Sequence, residues 1–82
     1  MQTLLLDGSR YKSAEALHTA LKNMLQLPEW YGMNADALYD CLSERREPVH
    51  LWIVSDGEGP VADAMHKIRR VVEDLNGTVR EL

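Results

Sequence analysis

The sequence predicts an α/β domain in which a three-stranded, mostly parallel sheet is packed with three to four helices. Two observations carry this expectation. Short apolar or β-branched segments alternate with amphipathic helical ones in the order β, α, α, β, α, β, and strands separated by helices pair in parallel through crossovers. The chain is also short: its 82 residues form one domain, read as 1–82, with a core just large enough to fold alone.

Each element has its own signal. TLLLD (3–7) is a continuous apolar run stopped by Asp7-Gly8, which suits a strand buried on both faces and so a central one. From Ser13, SAEALHTALKNMLQL places Leu17, Ala20, Leu21, Met24 and Leu25 at helical intervals, with Ser13 as N-cap and Pro28 beyond the end. NADALYDCLSER (34–45) is a second amphipathic helix. VHLWIVS (49–55), rich in β-branched and apolar residues, is the second strand, and DGEG stops it. Pro60 fits the first turn of a long helix whose Val61, Ala64, Met65, Ile68, Val72 and Leu75 share a face, and Asn76-Gly77 closes it. TVREL (78–82) alternates as an edge strand. No repeat, linker or low-complexity segment interrupts this order.

Composition narrows the function classes. Hydrophobic residues make up 45% and charged residues 27%, an ordinary globular balance, and no apolar run approaches the ~20 residues that span a bilayer. MQTLLLDGSR lacks the basic start and cleavage site of a signal peptide, and the single Cys41 can form neither an internal disulfide nor a cysteine-rich zinc site. A soluble protein in the cytoplasm is expected.

The net charge of −4 is localised. Glu29, Asp36, Asp40 and Glu44 lie between residues 28 and 44 with no lysine or arginine among them, and the remaining acids equal the bases in number. Such a patch repels nucleic acid and anionic membrane and steers a cationic partner into contact. At ~100° per residue, Leu38, Cys41, Leu42 and Ala35 fall on one side of the second helix and Asp36, Asp40 and Glu44 on the other, with Tyr39 at the border. Like charges at i, i+4 destabilise a helix by roughly 0.2–0.5 kcal/mol per pair. The simplest reading is a solvated acidic face. The lack of a nearby cation and the presence of Trp30, Tyr31 and Tyr39, read as exposed, favour a binding face instead, because aromatic anchors dominate interface energies.

LPEWYGMNADALYDCL, with Leu17, His18 and Leu21 upstream, resembles the barstar family, intracellular inhibitors of the secreted guanyl-specific ribonuclease barnase. The family segment runs L-P-E-aromatic-Tyr-Gly-x-Asn-x-Asp-Ala-Leu-aromatic-Asp-Cys-Leu, and the likeness is closest from Ser13 to Leu42. The resemblance implies that Asp40 is the dominant inhibitory aspartate, taking the place of substrate phosphate among the enzyme's arginines and histidines, and that Asp36 is the second. It also implies partner contacts by Trp30, Asn34 and Tyr39, and Tyr31, Met33 and Glu44 beside them complete the expected partner-binding set. The leading role of Asp40 comes from the resemblance; the physical agreement is that a carboxylate on a rigid helix offers two acceptor oxygens to arginine forks without bringing a scissile bond. Met33 stands where barstar has a glutamate, the family's acidic contact on the last helix finds no counterpart, barstar's second cysteine is absent, and a short family helix after Ser55 is missing.

Other signals carry less. GEGPVA (57–62) satisfies a dinucleotide fingerprint in form, but Glu58 would face the pyrophosphate and the chain is too short for that sheet. A turn and helix start is the better reading. Asp36, Asp40 and Glu44 lie on one helix face with no histidine or second-element ligand, so neither catalysis nor a metal is expected there, and no cofactor. His18 is read as packed with Leu17, His50 as a strand residue, His66 as a surface residue and Cys41 as a small buried hydrophobe. Lys67, Arg69 and Arg70 form a modest solvated basic face. The sequence therefore predicts a monomeric inhibitor that binds a barnase-like ribonuclease or nuclease toxin domain one to one, with salt-sensitive association. The alternative is a barstar-fold adaptor or immunity protein that uses the same face on another basic partner.

Overall fold

A computed structural model describes residues 2–82, which form three strands and three α-helices: β1 (Gln2–Asp7), α1 (Ala14–Leu25), α2 (Ala35–Ser43), β2 (Val49–Ser55), α3 (Gly59–Asp74) and β3 (Thr78–Glu81). A single 3-10 turn, Gly8–Arg10, follows β1. The strands form one wholly parallel sheet in the order β1-β2-β3. β2 runs through the turn at Gly57, whose φ is positive as is that of Gly59, directly into α3; among the described residues no further helix stands there.

The order corrects the expectation for β1, which is an edge strand with one open face. Leu4 and Leu6 are buried, whereas Leu5 between them is 55% exposed. Register explains the pattern: Leu4 pairs with Leu51 and Leu6 with Ile53, and with Val49 these side chains join residues of all three helices in one core. On the opposite face Leu5 pairs with Trp52, and Arg80 of β3 lies over the Trp52 ring at 5.8 Å. Trp52 and Val54 are exposed there. A parallel sheet is ordinarily covered on both faces, and this one is covered on one.

Helix ends follow local chemistry. Ser13 caps α1, its hydroxyl accepting from the Ala16 N–H at 3.0 Å. Leu17, Leu21 and Leu25 are buried as the periodicity requires, while Met24, expected with them, is exposed. α3 buries Val61, Ala64, Met65, Ile68, Val71 and Val72, with Leu75 partly covered. Its end is closed by left-handed Asn76 and by the Gly77 N–H donating to the Val72 carbonyl at 2.8 Å.

Two arginines tie the layers together. Arg45 donates to the Leu25 carbonyl at the end of α1 and to Gln2 Oε1 at 3.0 Å, placing a cation at the negative end of the helix dipole. Arg69, expected on a solvated basic face, instead pairs with Asp56 after β2 and with Glu81 of β3 at 2.6 Å.

Gly77 occupies a position where a Cβ would overlap the Val49 carbonyl oxygen and the Val72 side chain, so the α3–β3 turn leaves no room for a larger residue. Gly77→Ala is expected to lower unfolding free energy by about 2 kcal/mol, as overpacking does, measured by urea denaturation. Gly59→Ala, at a site with nothing nearby, meets no such overlap and serves as the comparison for strain from positive φ alone.

Candidate functional site

The turn between α1 and α2 sets the geometry of the candidate face. Its centre is Tyr31, which the sequence placed among the exposed aromatics and the partner contacts, and which is buried at 5% exposure. The phenol fills the core beneath the turn, so Tyr31 shapes the face from behind. Its Oη lies 2.7 Å from His18 Nδ1 and donates to the Asn34 carbonyl at 3.3 Å. His18 is buried, as its place beside Leu17 suggested. Burial holds the Tyr31 phenol up at about 12, with the nearby Cys41 adding to the shift, and burial pushes the His18 imidazole below its usual value.

Asn34 then starts α2. Its Oδ1 accepts from the Ala37 N–H at 2.8 Å, and its Nδ2 donates to the Gly32 carbonyl at 3.0 Å. This predicted contact residue thus serves as the N-cap, with its amide engaged inside the chain. Met33 is half-buried against the core with a φ of 56°, a left-handed conformation that a non-glycine side chain adopts only under constraint.

From that cap, α2 points its two faces as the periodicity predicts. Leu38, Cys41 and Leu42 are buried; Asp36, Asp40 and Glu44 are exposed along the opposite side. None of the three carboxylates forms an ion pair among the described residues. Ser43 donates to the Asp40 backbone carbonyl and leaves that side chain unengaged. The fourth acid differs from expectation: Glu29, in the turn after α1, pairs with Lys22 in the last turn of α1 at 3.4 Å. The unneutralised cluster is therefore three carboxylates. The adjacent cation, Arg45, is turned away to cap α1.

Aromatic surface flanks the ridge. Trp30 is 69% exposed and Tyr39 42% exposed. Trp30 borders a shallow groove with Pro28, Cys41 and Glu44. Cys41 is buried there, and burial first, then the Glu44 and Asp40 charges, raise its thiol above the usual range. On the other side of the ridge, Asp36 shares a groove with Asn34, Ala35, Lys67 and Arg70. Sequence reasoning did not associate this basic pair of α3 with the face; only the packing of α3 beside α2 brings it there. Among the described residues no three His, Cys, Asp or Glu side chains come together to hold a metal, and no helix is long and apolar enough to cross a membrane. The face can offer carboxylate acceptors and aromatic surface to another molecule.

The comparisons agree with this geometry. The family model described as Barstar (barnase inhibitor) matches residues 1–81. A Bacillus subtilis (strain 168) protein with the curated name "Putative ribonuclease inhibitor YrdF" is 44% identical over 43 residues, which cover 52% of this chain and 47% of that protein. The match thus spans about half the length of that relative. The chain belongs to the barstar family.

The buried imidazole makes folding pH-dependent. A base whose folded pKa lies below its unfolded value binds fewer protons when folded, so its contribution is complete above the unfolded value near pH 6.5 and is lost as pH falls through the folded value. The thermal midpoint of the wild-type protein is expected to fall more between about pH 7.5 and pH 5 than that of His18→Gln, which has no imidazole to protonate. Parallel pH curves for the two proteins would contradict the assignment.

Proposed function

We propose that this member of the barstar family is an inhibitor of a barnase-type, guanyl-specific ribonuclease and that it blocks the enzyme by laying α2 across the active site. The observation that carries the reading is the exposed ridge of Asp36, Asp40 and Glu44, unpaired among the described residues and flanked by Trp30 and Tyr39, in a chain of this family. Ribonuclease active sites gather cations to hold a phosphodiester, and a carboxylate satisfies the same cations through charge-assisted, forked hydrogen bonds. In this reading Asp40 fills the anion site and Asp36 supports it. Trp30 and Tyr39 cover the surrounding surface and exclude water.

The inhibition is stoichiometric and competitive. A carboxylate carries no ester to cleave, so the enzyme cannot turn its inhibitor over. The N-cap at Asn34 and the buried Tyr31 hold α2 in place before binding, which limits the ordering that association would otherwise require. A monomer suffices for the one-to-one complex, acting in the cytoplasm. Glu44 extends the negative field that guides encounter.

The test is inhibition of a panel of barnase-type ribonucleases by the wild-type chain and by Asp40→Ala. Removing one member of a desolvated charge pair is expected to weaken binding by at least about 2 kcal/mol, roughly 30-fold. The thermal midpoint should hold or rise slightly, because the Asp40 carboxylate is exposed, supports nothing in the free chain and repels Asp36 and Glu44 along α2. Equal inhibition by the two proteins would remove Asp40 from the anion site. Absence of inhibition across the panel, with retained Asp40-dependent binding to another basic protein, would favour an adaptor or immunity protein.

A further inference from the structure

Lys67 and Arg70 stand at i, i+3 on α3, and with Asn34, Ala35 and Asp36 they line the groove where the start of α2 meets α3. Both are exposed, and neither forms an ion pair among the described residues. Asp63 lies one turn before Lys67 and Asp74 one turn after Arg70, yet neither engages them. Arg69, between the two in sequence, is withdrawn to Asp56 and Glu81, so the basic pair is a distinct feature of the groove rim. The surface that carries the acidic ridge therefore changes sign at Asp36.

We propose that Lys67 and Arg70 are a specificity element of the ribonuclease-binding face, reading one or more carboxylates on the target beside its cationic active site. The inference rests on the inhibitor reading given above and identifies the kind of enzyme this chain accepts. A target seated on Asp40 and Asp36 is brought over the adjoining groove, so whatever it presents there meets two unpaired cations. An acid at that position gains charge-assisted hydrogen bonds, and a base is rejected by like-charge contact. The pair does not suit RNA. Two cations surrounded by Asp36, Asp63, Glu73 and Asp74 make no continuous track for a phosphate backbone.

The experiment uses the ribonuclease that the wild-type chain inhibits most strongly. Its binding is measured against wild type, Asp40→Ala, the double charge reversal Lys67→Glu with Arg70→Glu, and the charge-preserving pair Lys67→Arg with Arg70→Lys. Thermal midpoints verify that all four proteins fold. Tenfold or greater weakening by the reversed pair is expected, with the charge-preserving pair close to wild type. Changing the opposing target acid to lysine should restore binding of the reversed variant. If the reversed pair binds as tightly as wild type, or more tightly, while Asp40→Ala weakens binding, the target presents no acid to α3 and the inference is wrong with the inhibitor reading intact. If Asp40→Ala binds like wild type, or no ribonuclease is inhibited, the inhibitor reading fails and this inference with it.

Discussion

A hydrogen bond sealed beneath the surface, between His18 of α1 and the hydroxyl of Tyr31, determines where the acidic face of α2 stands. A buried phenol and a buried imidazole are each unfavourable alone, and each is tolerated because the other satisfies it. Tyr31 also reaches the Asn34 carbonyl, so the turn that presents Trp30 and the residue that starts α2 are held to α1 by one side chain. The direction of the acidic ridge depends on that attachment. A face made of exposed side chains thus takes its rigidity from a buried contact.

Charge is distributed on the same plan. Three cations have internal duties: Arg45 closes α1, Arg69 joins α3 to the ends of β2 and β3, and Lys22 meets Glu29. Asp36, Asp40 and Glu44 are left to repel one another along α2, a small loss in the free protein. Arg45 is held at the end of α1 by its hydrogen bonds to Leu25 and Gln2 and does not neutralise the ridge. In the proposed reading the counter-charges arrive on another molecule. The basic pair on α3 sets the boundary of the negative surface beside Asp36.

Much of this was legible in the sequence, and the failures share a cause. Periodicity placed the helices, β2 and the two faces of α2, because each is decided within a few residues of chain. The continuous run Leu4-Leu5-Leu6 read as a strand buried on both sides, yet Leu5 faces solvent, because all three helices pack on one side of the sheet and strand order is a property of pairing. Tyr31 looked like its neighbour Trp30; only the position of His18, far along the chain, draws one inward and leaves the other out. Lys67 lies on α3 and Asp36 on α2, so no local window reveals their relation, and Lys22 meets Glu29 only because the turn after α1 folds back beside it. Separately, the family resemblance supplied the ranking of Asp40 over Asp36, which the exposed geometry of the free chain does not distinguish.

The central claim is that the ridge is completed by cations of a partner, and the association rate constant tests it most directly. Measured with the inhibited ribonuclease from about 50 to 500 mM salt, it is predicted to fall by roughly tenfold or more, as steering by opposed surface charges is screened over a Debye length. The same series with Asp36→Asn, Asp40→Asn and Glu44→Gln combined should be much flatter. A wild-type rate constant that does not change across that range would contradict the account.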